Sequence, residues 1–128
     1  MSIIMASKKI KSHSKERWVK VPTKAKTRYN DYYFSDFGRI KSVSKLSGKE
    51  KLLKGARDIY GNPKISISVV GSNTRQVVYL HLLVGNEFLK PPTPEHKFII
   101  RKDNNKENNH YKNLKWMTQE EVIKHHRK

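Results

Sequence analysis

The sequence predicts an α+β fold: a small antiparallel N-terminal module, a second hairpin, one helix, and a closing strand–loop–helix unit. Three observations carry this expectation. Residues 64–70, KISISVV, alternate with period two, which sets Ile65, Ile67 and Val69 on one face of a strand. Leu80, Leu83, Val84 and Phe88 repeat at helical spacing over 80–89, and Pro91-Pro92 forbid continuation. Turn signals split strand-like runs at Ser35-Asp36-Phe37-Gly38, within 29–42, and at Gly71-Ser72-Asn73, before the return strand 75–79.

The other elements follow in order. Residues 1–15 carry Lys8, Lys9, Lys11 and Lys15 with little apolar content, and read as a basic arm that is disordered until bound. Residues 46–62, rich in Lys and Gly, read as a loop or short strand. Residues 97–101 form a short strand. The Asn-rich stretch 103–112 is a loop, because Asn side chains bond their own backbone and tolerate left-handed geometry. A short apolar run follows at 114–117. Thr118 caps a final helix, with Glu120 and Glu121 in its first turn and His125, His126, Arg127 and Lys128 at its end, an order that suits the helix dipole. Trp18 and Trp116 are expected as core anchors.

Composition narrows the function. The chain of 128 residues holds 28 Lys and Arg against 11 Asp and Glu, a net charge of +17. A field of that sign has a polyanion as its natural partner, with counterion release supplying affinity. Residues 1–54 hold 15 of the basic residues and 4 of the acidic ones. The N-terminal part is therefore the expected backbone-gripping side. No cysteine is present, which excludes disulfides and thiolate zinc sites. No apolar run approaches the roughly 18 residues of a membrane span. The first residues lack the apolar core of a secretory signal. The expected setting is the cytoplasm of a phage-infected or bacterial cell, or an organelle, with no membrane partner and a monomeric chain.

Residues 99–116, IIRKDNNKENNHYKNLKW, supply Asp103, Asn105, Asn108, Asn109, Asn113, Leu114 and Trp116. This pattern resembles the catalytic half of HNH homing endonucleases of the phage and mobile-intron type, roughly H-x-D-G-N-x-x-N-N followed by N-L-x-W. Upstream, Glu16, Trp18, Tyr33, Ser35, Gly38, Arg39, Ile40 and Ser42 are similar to a small DNA-binding module found beside such nucleases, with Phe34 where Val is usual. Residues 79–88 resemble the family's V-H-R-L-V-A-x-x-F, with Leu82 in place of Arg. The resemblance spans about residues 16–124. It implies a nuclease-associated module at 16–54 and an HNH-like domain, ββα-metal in type, at 55–128.

The departures bear on chemistry. Arg101 stands where the family has its general-base histidine, and Arg stays protonated at all working pH values. Ile100, before it, has no ligand atom. Asn104 replaces the family's Gly. The resemblance leaves Arg101, Asp103 and Asn113 as a vestigial site, with Asn113 as a metal ligand if the chain is active. A substitute base would come from another histidine. His81 matches a family position near the helix start, and His96 and His110 lie nearby in sequence.

Two chemistries are implied. In the first, the chain keeps the scaffold and binds nucleic acid without efficient cleavage, needing no cofactor. Arg101 then faces the phosphate that the metal would have held. Contacts are expected from Lys8, Lys9, Lys11, Lys15, Arg17, Arg39, Lys41, Arg75, Arg101, Lys102, Lys106 and Lys112, to DNA first and structured RNA second. In the other, a divergent nuclease nicks DNA with Mg2+ or another divalent ion. A further alternative is a basic structural or regulatory protein within a nucleoprotein complex.

Overall fold

The computed structural model describes residues 9–127. Four strands, β1 (Trp18–Lys20), β2 (Asn30–Ser35), β3 (Ile40–Ser44) and β4 (Glu50–Leu53), form one antiparallel sheet in chain order. A second antiparallel sheet holds β5 (Ala56–Arg57), β6 (Pro63–Ile67) and β7 (Gln76–Tyr79). The chain then enters α1 (Leu80–Phe88), crosses to β8 (Phe98–Arg101), passes the Asn-rich loop and one 3₁₀ turn (Tyr111–Asn113), and returns along β9 (Leu114–Met117) into α2 (Gln119–His126). The predicted α+β class is what is observed.

Period-two patterning sets the packing. Ile65, Ile67 and Val69 all point inward and are buried. The strand itself ends at Ile67, and Val69 keeps only an isolated bridge to Thr27. They join Val21, Phe34, Ile40, Val78, Leu80, Val84 and Leu114 in one apolar cluster that draws on both sheets, α1 and β9. Burying side chains of this size contributes roughly 1.5–3 kcal/mol each. Gly85 lets α1 lie close against the last hairpin, because a Cβ there would overlap the Ile99 side chain.

Two expectations change and one is filled in. The stretch 46–62, read as a loop or short strand, holds the β3–β4 hairpin tip and two short strands, β4 and β5, since Leu52 and Leu53 extend a ladder that Ile40 and Lys41 open. Neither tryptophan anchors the core. Trp18 is half-buried under Lys41, whose Nζ lies 4.3 Å from the ring centroid, and Trp116 donates its Nε1 hydrogen to the Leu89 carbonyl at 3.1 Å. Part of the expected arm is docked: the Ile10 amide donates to Glu50 Oε1 at 3.0 Å, and the His13 ring stacks on Phe37 at 4.9 Å. Lys8 lies outside the described residues.

Candidate functional site

The turn after β2 and the Asn-rich loop meet, and that junction organises the site. Ser35-Asp36-Phe37-Gly38 reverses the chain with Gly38 at φ +77°. A side chain at Gly38 would overlap the Asn109 carbonyl carbon and lie 2.8 Å from the His110 nitrogen, so only glycine permits this approach. The Asp36 carbonyl then accepts from the Tyr111 amide at 2.8 Å. Beneath the turn, Glu16 has a fully buried carboxylate. It accepts from Arg39 Nη2 at 2.6 Å, Arg39 Nε at 2.9 Å, Ser35 Oγ at 2.5 Å and the His13 amide at 2.9 Å. Burial raises its pKa, but these donors outweigh burial and hold it down at about 2. Four of the eight residues that carry the upstream resemblance, Glu16, Ser35, Gly38 and Arg39, thus tie this turn.

That knot engages cations expected to contact nucleic acid. Arg39 is bound to Glu16, Arg17 donates to Asp36 Oδ2 at 2.8 Å, and Lys41 reaches Glu50 at 3.1 Å. The Arg17 guanidinium also lies 4.7 Å from the Phe88 ring centroid. Lys9, Lys11, Lys15, Arg75, Lys102, Lys106 and Lys112 are exposed. Of these, Lys106 donates to the Tyr60 carbonyl at 2.6 Å.

Asp103 is the hub of the Asn-rich loop. Its Oδ1 accepts from the Asn105 amide and from Asn113 Nδ2, both at 2.9 Å, and its Oδ2 accepts from Asn108 Nδ2 at 2.9 Å. The Asn108 bond first, then those of Asn105 and Asn113, hold its carboxyl below the usual range. Asn113 Nδ2 also donates to the Asn108 carbonyl at 2.9 Å, and its Oδ1 accepts from the Asp103 amide at 3.3 Å. Asn104 takes φ +60°, the conformation that made Asn tolerable there.

Arg101, at the end of β8, turns inward and is 6% exposed. Its Nε donates to Asn109 Oδ1 at 3.0 Å, Nη1 to Asn62 Oδ1 at 2.8 Å, and Nη2 to the Lys106 carbonyl at 3.3 Å. All three guanidinium nitrogens are thereby engaged within the protein. Burial lowers its pKa, and Glu107, Asp58 and Asp103 oppose that shift. The guanidinium ties the Asn-rich loop to the β5–β6 turn, where Asp58 accepts from the Asn62 amide at 2.8 Å and Arg57 pairs with Glu107 at 2.5 Å.

The histidines separate by environment. His81, on α1, has a buried Nδ1 with no hydrogen-bond partner among the described residues. Burial first, then the nearby Arg101 charge, lowers its pKa to about 4, so the ring is neutral at pH 7. His96 bonds Thr93 at 2.7 Å and faces Glu121 at 3.3 Å. His110 Nδ1 accepts from the Lys112 amide at 3.2 Å. His125 reaches Asn104 at 2.7 Å, and His126 helps line a cleft with Ile99, Ile100, Arg101, Asn104 and Lys106. Asn62 and the α2 histidines were not expected at the end of β8. Asn62 lies 39 residues before Arg101 and no local pattern links them, while the His pair reads in sequence only as a helix end.

A divalent metal, implied by the resemblance for an active enzyme, does not fit this donor set. The Arg101 cation occupies the strand end, Ile100 offers no oxygen, and the Asp103 and Asn113 side chains are spent on the loop. Among the described residues, no group of three His, Cys, Asp or Glu side chains is placed to hold an ion.

A short antiparallel hairpin, an Asn-pinned loop and a box-capped helix packed behind a small sheet module define an HNH-like nuclease scaffold. The chain is an HNH homing endonuclease-like protein. It is 32% identical over 97 residues to an uncharacterized HNH endonuclease of Acanthamoeba polyphaga mimivirus, covering 76% of this chain and 27% of that one. A second uncharacterized HNH endonuclease of the same virus is 28% identical over 88 residues, 69% of this chain and 21% of the relative. The chain therefore spans about a quarter of the length of the curated relatives it matches. Among solved structures it is similar to the HNH homing endonuclease I-HmuI, described in DNA binding and cleavage, with TM-score 0.57 and 29% identity over 75% of this chain and 51% of that one. No family model matches the chain.

Proposed function

We propose that this chain is a nucleic-acid-binding protein on an HNH homing endonuclease-like scaffold, with cleavage lost or impaired. The observation that carries the reading is Arg101. It holds the position where the resemblance expects a general base, and its three nitrogens donate to Asn109, Asn62 and the Lys106 carbonyl. A protonated guanidinium removes no proton from water and repels a metal ion. In this reading Arg101 braces the loop rather than facing a phosphate, and Asp103 and Asn113 keep the loop's shape. DNA is the proposed partner, supported by the net charge of +17 and by the DNA-binding neighbour.

A fluorescence titration of labelled 30-base-pair DNA across salt tests the binding half. With about 6 phosphate contacts, affinity falls on the order of a thousandfold between 50 and 200 mM salt. Salt-insensitive binding, or no binding, refutes it.

One observation favours a second reading, an active divergent nuclease. His81 is neutral at pH 7 with an unpartnered Nδ1, the state a general base needs. The burial of that Nδ1 weighs against access to water.

A further inference from the structure

The first sheet sorts its charges by face. Along β4, Glu50 points one way and bonds Lys41, while Lys49 and Lys51 project from the other side. Along β2, Asp31 likewise lies opposite to Asn30 and Tyr32. The register sets Asn30 across from Ser44, Tyr32 across from Ser42, and Ser42 across from Lys51. One sheet face is thus free of carboxylates, with small polar side chains along its middle. The second sheet closes one side of it with Lys64, and Arg75 stands at the rim.

The result is a groove of about 720 Å³ with four cations and no acidic residue in its walls. Lys49, Lys51, Lys64 and Arg75 form no ion pair and no side-chain hydrogen bond among the described residues. Arg17, Arg39, Lys41 and Arg57, by contrast, are each paired with a carboxylate. Four unpaired cations lining one groove repel one another, and an anion entering the groove relieves that repulsion.

We propose that this groove grips the sugar-phosphate backbone of a single nucleic-acid strand. The proposal rests on the nucleic-acid-binding reading above and locates its main backbone contact away from the Asn-rich loop. Lys49, Lys51, Lys64 and Arg75 neutralise phosphates, and the Asn30, Ser42 and Ser44 side chains offer hydrogen bonds to phosphate and sugar oxygens along the floor. No base edge is read, so the grip is insensitive to sequence.

The test uses the full chain and a labelled 20-mer oligothymidylate, titrated by anisotropy from 50 to 300 mM salt. One variant carries Lys49→Gln, Lys51→Gln, Lys64→Gln and Arg75→Gln. A control loses the same charge elsewhere through Lys90→Gln, Lys97→Gln, Lys115→Gln and Lys124→Gln, all at exposed positions. Melting curves establish that both fold. The groove variant is expected to weaken binding at least tenfold at 150 mM salt and to flatten the log–log salt slope by about 3, as four lost contacts to a single strand require. The control moves the slope by less than about 1. Equal losses in both variants, an unchanged slope in the groove variant, or displacement of the oligomer by poly-glutamate at equal charge overturns the proposal. If the wild type binds duplex but not oligothymidylate, the groove assignment fails and the binding reading stands. If it binds neither, both fail.

Discussion

Arg101→Ala is expected to cost the fold about 3 kcal/mol while leaving DNA affinity nearly unchanged below the melting transition. The substitution strands Asn109 Oδ1, Asn62 Oδ1 and the Lys106 carbonyl, which the guanidinium now satisfies. A buried acceptor without a partner costs about 1–3 kcal/mol. The native side chain also carries an opposing burden, since its charge is buried with only neutral groups as direct partners, so the three losses do not simply add. Arg101→Met keeps most of the stem's volume and removes the donors, and should lose nearly as much stability. Arg101→Lys, with one short-reach ammonium for three diverging acceptors, should not rescue it. Chemical denaturation and a DNA titration on the same samples check this. Stability retained with affinity lost would instead place the Arg101 cation against a phosphate, as its sequence position alone suggested.

The second large effect is acid lability centred on Glu16. Glu16→Ala leaves Arg39 without its buried counter-charge and Ser35 without its acceptor, and should cost about 3–5 kcal/mol. The wild type carries a matching pH signature. With a folded pKa of about 2 against 4.5, Glu16 contributes stability that is fully present above pH 4.5 and lost as pH falls toward 2, about 3 kcal/mol in all. His81 acts in a higher window. Its folded pKa of about 4 lies below the ordinary 6.5, so the neutral ring favours folding above pH 6.5. That contribution fades as pH drops from 6.5 to 4, because the unfolded chain takes up the proton first. Urea midpoints from pH 7 to 3 should fall in two stages, and His81→Gln should erase the upper one. A flat profile between pH 6.5 and 4 in the wild type would contradict the buried neutral imidazole.

Local signals read well in this sequence, and distant ones did not. The KISISVV alternation gave the inward face of β6, Thr118 gave the N-cap of α2, and the Pro91-Pro92 pair marked the region where α1 stops. Each is decided within a few residues. The Asn-rich loop was legible as a self-bonding turn for the same reason. What stayed hidden depends on contacts across the fold. Nothing near Arg101 announces that Asn62 will arrive 39 residues upstream to take its Nη1. Nothing near Arg39 says whether its charge faces solvent or Glu16, 23 residues away. Cations therefore looked equivalent in the sequence, and only the strand register separates those spent on Glu16, Asp36 and Glu50 from those left open at Lys49, Lys51, Lys64 and Arg75.

The central claim is that this scaffold binds without efficient cutting, and a supercoiled-plasmid nicking assay tests it most directly. The wild-type chain, at neutral pH with Mg2+ or Mn2+ and at concentrations that retard the plasmid on a gel, is expected to leave it supercoiled. Ile100→Asp with Arg101→His supplies an oxygen and an imidazole at the strand end, but it also removes the donors that hold Asn62 and Asn109, so any nicking it gains should come with reduced stability. Metal-dependent conversion to the open circle by the unmodified chain, abolished by His81→Ala in a variant that still folds, would contradict the claim and identify a working nuclease with a relocated base.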